Sequence, residues 1–286
     1  PGKAVMIRAR SRHVLCPGRF AVAIRWIGLS LMASACLFPF YAMIVLSLKS
    51  GTVELPGSLW PFSDVSLDSY RQVLSGQNLP RWLLNTVIYS VTSVVVVLFV
   101  SALAGYAFAK KRFPGREAMF WTFLSMVMVP FQVTVIPTFM LISTWKGINT
   151  YWGMIVPTLA NAQAVFLMRQ FIHGLPDELF EAARVDGAGE FTIFWRIVLP
   201  LSRPILATLG LFVLLWHWND FLWPLIVGRR SEMWTLTVGI ASLQQQTVPL
   251  NVTLAGSTVA LLPLFMAYLV AQRHVQEGCT STGIRG

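Results

Sequence analysis

With 286 residues, 55% of them hydrophobic and only 12% charged, and with a mean hydropathy of +0.63, the chain carries far less than the roughly 25% charge of a soluble domain. That excludes water as its main solvent. The net charge of +10 does not point to nucleic acid either, because the basic residues flank apolar runs and form no readout face.

A charge-free run of about 18 or more apolar residues can cross a hydrocarbon layer of roughly 30 Å as a helix, since only internal hydrogen bonds satisfy the backbone there. Six runs meet or approach this test: residues 26–48, 82–109, 118–145, 150–168, 204–228 and 250–272. They predict an all-α polytopic membrane protein made of one membrane domain. The fourth run is the shortest, and the fifth contains His217 and Asp220.

The first run follows Lys3, Arg8, Arg10, Arg12, Arg19 and Arg25. It continues past any small-residue cleavage site, and Ala33 stands where cleavage before Cys36 needs a bulky aliphatic residue, so an uncleaved anchor is expected. In the loop over residues 50–81, Ser66 is placed to cap a short amphipathic helix. The turn "KKRFPGRE" over residues 110–117, broken by Pro114-Gly115, reads as a solvated turn and topology signal. Six crossings put both termini on one side. Sixteen Lys and Arg residues fall on that side and six on the other, which makes the termini cytoplasmic. Cys16, Cys36 and Cys279 are scattered without metal-ligand spacing. No His/Glu metal pattern or nucleophile elbow supports an integral membrane enzyme.

Between the fourth and fifth runs lies "EAARVDGAGEFTIFWRIVLP", residues 181–200, in a region that also holds Asp177 and Glu178. Pro176 suits a first helical turn, and acids beside it complement the helix dipole. Leu179, Phe180 and Ala183 can share one face, and Gly187 can adopt the left-handed conformation that ends a helix. Phe191, Phe194, Trp195 and Val198 have the spacing of a second short apolar face. The physics predicts a helix-turn-helix elbow whose acids disfavour anionic lipid and suit a basic protein partner.

Glu181-Ala182-Ala183, three residues, Gly187, nine residues, then Ile197-x-Leu199-Pro200 resembles the EAA loop of permease subunits from bacterial ABC importers, specifically the carbohydrate branch. The resemblance spans nearly the whole chain, and "GCTSTGIRG" at residues 278–286 is similar to the end of the smaller permease of such pairs. It implies a type I ABC importer permease fold in the bacterial inner membrane, with residues 174–200 as a cytoplasmic coupling loop. Glu181, Ala182, Ala183, Asp186 and Gly187 would seat this loop in an ATPase, and Ile197, Leu199 and Pro200 would anchor it. The implied partners are a second permease forming a heterodimer, a dimer of ABC ATPase subunits, an extracytoplasmic solute-binding protein and the lipid bilayer. ATP and Mg belong to the ATPases and no cofactor to this chain. Leu74-Ser75-Gly76-Gln77 only partly matches an ATPase signature loop, and the chain has no GxxxxGK[ST] phosphate loop.

An ionisable residue within a span is a functional candidate by default. Trp216, Asn219, Asp220 and Trp223 fall on one helical stripe that could offer stacking faces and hydrogen bonds to a sugar; the competing role is helix-helix adhesion. Asn85, Gln132, Asn161 and Gln163 are further pore-lining candidates. The expected cargo is a sugar or related solute, with glycerol-3-phosphate or a glycerophosphodiester as the alternative. A secondary transporter or channel is the remaining reading.

Overall fold

The computed structural model describes residues 19–51, 57–245 and 248–281. Lys3, Arg8, Arg10, Arg12, Cys16 and residues 282–286 of the tail lie outside these, as does the side chain of Cys279. The described residues form helices and turns without a strand.

α1 (Arg19–Ser47) and the short α2 (Asp68–Ser75) precede α3 (Leu79–Lys110), whose 32 residues make a rod of roughly 48 Å at 1.5 Å per residue. Ser66 holds the start of α2 by accepting from the Asp68 amide at 3.0 Å. Next come α4 (Arg116–Ser125) and α5 (Phe131–Thr144), which meet at 101°, so the third predicted run is not one straight helix. Pro130 explains the break, because it cannot donate and drives Val129 into extended backbone.

The fourth run is also divided. α6 (Tyr151–Ile155) passes through a tight turn over Val156–Thr158, and α7 (Ala162–His173) starts afresh. Pro157 removes a helical donor, and Asn161 opens the new helix by accepting from the Ala164 amide at 2.9 Å.

α8 (Asp177–Val185) and α9 (Glu190–Ile193) form the expected elbow; a π turn over Phe194–Val198 then leads into α10 (Leu199–Leu201). α11 (Arg203–Trp218) leaves that segment at 75° and stops ten residues short of the predicted end at 228. Its continuation is the separate α12 (Leu222–Val227). Pro224 has no N–H to offer the Asp220 carbonyl, which instead accepts from the Thr237 hydroxyl at 2.7 Å. α13 (Leu236–Gln245), absent from the predicted runs, and the long α14 (Leu250–Ser281) complete the chain. Among the described residues, three helices are long and apolar enough to cross a membrane alone, or up to five if each bent pair is one crossing.

α3 is the spine. Near its start, Trp82 Nε1 donates to the Ser231 carbonyl at 2.9 Å, and Asn85 Nδ2 donates to the Glu232 and Trp234 carbonyls at 2.8 Å. Thr86 Oγ1 accepts from the Leu236 amide at 2.8 Å. Asn85 is therefore buried and fully engaged, which corrects its assignment to a pore. Lys49 is buried too; its ammonium donates to carbonyls of Trp60 and Ser63, and its own carbonyl accepts from Asn251 Nδ2 at 2.9 Å. By contrast, Trp26, Leu31 and Met32 on α1 are widely exposed, an apolar surface suited to lipid or to another membrane chain.

Two glycines permit close crossings of the spine. A Cβ on Gly239 would lie 2.1 Å from the Trp82 ring, and one on Gly105 would lie 2.7 Å from Met168 Cβ and 2.9 Å from the Arg169 amide nitrogen. Gly239→Val and Gly105→Val should each destabilise the fold by about 1–3 kcal/mol. Nothing lies within 4 Å of a Cβ on Gly28, so Gly28→Val should be neutral. Thermal unfolding of the detergent-purified protein checks this; equal midpoints for all three variants contradict the packing.

Candidate functional site

The elbow is built from local backbone rules. Pro176 sits just ahead of α8 in extended backbone (φ −58°, ψ 134°), one residue earlier than a first-turn proline, and Asp177 and Glu178 occupy the first turn. At the other end the Gly187 amide donates to the Arg184 carbonyl at 3.0 Å and the Ala188 amide to the Ala183 carbonyl at 2.9 Å. This pair of bonds is a Schellman termination, and it needs the left-handed φ of +80° that Gly187 supplies. In the π turn the Leu199 amide reaches back to the Phe194 carbonyl. Pro200 follows with no donor to restore α-helical pairing.

One face of this elbow belongs to the core. Phe180, Ile193, Phe194 and Val198 are buried, and Ala183, Ile197 and Leu199 pack against them. Phe191 and Trp195 stay exposed, so the predicted apolar stripe is only half buried. The Phe180 ring stacks on Tyr106 of α3 at 6.1 Å and 24°.

Charge then fixes the elbow to the end of α3. Lys110 Nζ donates to Asp177 Oδ1 at 2.6 Å and to the Leu175 carbonyl at 2.7 Å, and lies 4.9 Å from the Phe180 ring centre. Lys111 pairs with Glu190, whose Oε2 also accepts from the Tyr106 hydroxyl at 2.7 Å. The Lys110 hydrogen bond, with its charge, holds the Asp177 carboxyl below its ordinary pKa. These lysines are thus not a free solvated turn. Their acidic partners stand 67 or more positions away, which local charge patterning does not reveal.

The opposite face of α8 is open. Glu178, Glu181, Ala182, Val185 and Asp186 are exposed, and Val185 reaches 88%. Asp177 and Glu190 are committed internally, whereas Glu178, Glu181 and Asp186 make no ion pair among the described residues. The elbow therefore presents three acids around a small apolar centre.

The proposed sugar stripe is dispersed, because α11 ends at Trp218 and the helical register stops with it. Trp223 is fully buried and its Nε1 donates to the Met154 carbonyl at 3.0 Å. Asp220 Oδ2 accepts from the Tyr89 hydroxyl at 2.7 Å. Asn219 lines a groove of about 380 Å³ with Thr237 and Gln244. Trp216 instead lines a different groove, of about 530 Å³, beside Asn161 and Gln163. Gln132 lies in neither lining. His217, buried, bonds through Nδ1 to the Val213 carbonyl at 2.8 Å and through Nε2 to Thr158 Oγ1 at 3.1 Å. Among the described residues no group of three His, Cys, Asp or Glu could hold a metal.

Residues 73–279 match the family of binding-protein-dependent transport system inner membrane components. The chain is 35% identical over 265 residues to the arabinooligosaccharides transport system permease protein AraQ of Halalkalibacterium halodurans, covering 91% of this chain and 95% of that one. It is 37% identical over 254 residues to the sn-glycerol-3-phosphate transport system permease protein UgpE of Yersinia pestis, covering 85% and 90%. Its fold is similar to a chain of a bacterial ABC transporter that imports alginate, with a TM-score of 0.78 at 23% identity over 95% of this chain and all of that one. The chain belongs to the inner membrane components of binding-protein-dependent transport systems.

The depressed Asp177 carboxyl sets a pH test. Its stabilising contribution is complete above the unfolded-state pKa of about 4 and is lost only as pH falls through the lower folded value. Amide protection in residues 177–188, measured relative to the intrinsic exchange rate at each pH, should therefore hold from pH 7 to about pH 4 and fall below it. Lys110→Met should lower that protection at neutral pH; unchanged protection in Lys110→Met contradicts the clasp.

Proposed function

We propose that this permease subunit crosses the bacterial inner membrane six times with both termini cytoplasmic. The crossings are α1, α3, the bent α4–α5, the divided α6–α7, α11 with α12, and α14. It pairs with a second permease, receives solute from an extracytoplasmic binding protein, and is driven by a dimer of cytoplasmic ATPases that carry the ATP and Mg. It performs no catalysis itself. Its cargo is a sugar or related solute, in keeping with the arabinooligosaccharide relative; the sn-glycerol-3-phosphate relative keeps that cargo as the alternative.

The observation that carries this reading is an elbow with one face locked into the core and the other uncovered. Residues 174–200 act as the coupling loop. Glu181 and Asp186 meet basic groups of the ATPase, Ala182 admits close approach, and Val185 fills an apolar pocket. Ala183 points to the core instead and, with Ile197, Leu199 and Pro200, joins α8 to the spans. When ATP binding closes the ATPase dimer, the docked elbows move and the spans rock between outward- and inward-facing states. Because α8 is held to α3 by Lys110 and Phe180, its displacement moves the spine with it.

Gly187→Ala places a side chain at φ +80°, a cost of about 1–2 kcal/mol, and should uncouple ATP hydrolysis from uptake in the reconstituted importer. Gly187→Asn should retain more uptake, since asparagine tolerates that backbone. Glu181→Lys should cut uptake about tenfold or more by placing like charges together across the docking surface. Uptake that persists without the ATPase overturns the importer reading.

A further inference from the structure

We propose that the turn between α3 and α4 holds the phosphate of an anionic phospholipid of the cytoplasmic leaflet; this rests on the topology above, which puts that turn at the inner membrane surface. Arg112, Phe113, Gly115, Arg116, Glu117 and Ala118 line a groove of about 460 Å³ there. The lysines of the turn are already taken, Lys110 by Asp177 and Lys111 by Glu190. Arg112 is exposed and makes no ion pair among the described residues, so its guanidinium is open to an outside anion. Arg116 stands ready beside it, because its Nη1 donates to the Lys111 carbonyl at 3.0 Å and its Nη2 to Glu117 Oε1 at 2.9 Å. A side chain held in place before the ligand arrives loses little entropy on binding. Glu117 does not cancel the attraction. Arg169 on α7 donates to both of its oxygens, at 2.8 and 2.9 Å, which leaves three guanidinium groups against one carboxylate.

The chemistry of the groove and of α4 selects the ligand. Guanidinium groups match phosphate oxygens in a two-pronged geometry. One turn of α4 beyond Ala118 stands Trp121, exposed like its neighbour Met119, and an exposed indole just past a basic turn is a side chain of the membrane–water interface. A lipid with its phosphate in the groove would lay its acyl chains along that apolar stretch, whereas a free phosphate has nothing to place there. Basic pockets at the cytoplasmic ends of spans take anionic headgroups. A zwitterionic headgroup carries its own cation towards three guanidinium groups and is disfavoured, so the site prefers phosphatidylglycerol to phosphatidylcholine.

The test uses the complete importer in detergent, titrated with phosphatidylglycerol and separately with phosphatidylcholine, with bound lipid counted by native mass spectrometry. Phosphatidylglycerol should bind the more tightly. Arg112→Gln should weaken it about fivefold, and the Arg112→Gln, Arg116→Gln double variant about 25-fold. Arg203→Gln removes an exposed arginine outside the groove and should leave the affinity unchanged. Inorganic phosphate should displace the lipid no better than chloride at equal ionic strength. Equal binding of the two lipids, unchanged affinity in Arg112→Gln, or an equal loss in Arg203→Gln overturns the site, the last by showing only diffuse attraction. Specific displacement by inorganic phosphate marks a free-anion site, and loss of the ATPase on purification of Arg112→Gln marks a protein-docking face; either overturns the lipid assignment. The topology fails separately, if a membrane-impermeant maleimide added outside intact cells labels an Arg112→Cys variant.

Discussion

The ammonium of Lys110 is the constraint on which the working parts depend. It lies at the end of the longest helix before the elbow, with its side chain only 7% exposed, and a buried cation is tolerated only when its hydrogen bonds are met. Asp177, the Leu175 carbonyl and the Phe180 ring meet them. All three lie in or just before α8, so satisfying one charge fixes the position of the whole elbow. The Schellman termination at Gly187 and the Lys111–Glu190–Tyr106 contact then set the direction in which the chain leaves it.

The other end of α3 is held by the same kind of economy. Trp82, Asn85 and Thr86 satisfy backbone groups of residues 231–236, in a stretch where no regular helix could do so. Between these two attachments α3 has no proline beyond its first turn, while Pro130, Pro157, Pro200 and Pro224 interrupt the segments around it. The result is one stiff rod surrounded by broken helices. In the proposed coupling, motion imposed on the elbow would be carried by the rod, and the breaks would supply places where neighbouring segments bend.

Much of this was legible in the sequence. The apolar runs located the long helices because helical backbone in hydrocarbon must be self-satisfied, and the Pro176 and Gly187 signals located the elbow because they act within a few residues. The prolines were equally visible, yet run length alone read 118–145, 150–168 and 204–228 as continuous; hydropathy reports solvent preference and is silent about where a missing N–H bends the chain. Local charge patterning also missed Lys110, whose partner is 67 residues on, and treated Trp216 and Trp223 as one stripe although the helix ends between them. Trp216 met Asn161 and Gln163 only through tertiary packing of three separate segments.

The central claim is that the elbow works through its attachment to α3. The most direct measurement is a double-mutant cycle of Lys110→Met and Asp177→Asn in the reconstituted importer, reading solute transported per ATP hydrolysed. The account predicts that each single variant lowers this ratio and that the double variant is no worse than the poorer single one, because both remove the same link. Additive losses, or a normal ratio in Lys110→Met, would contradict it.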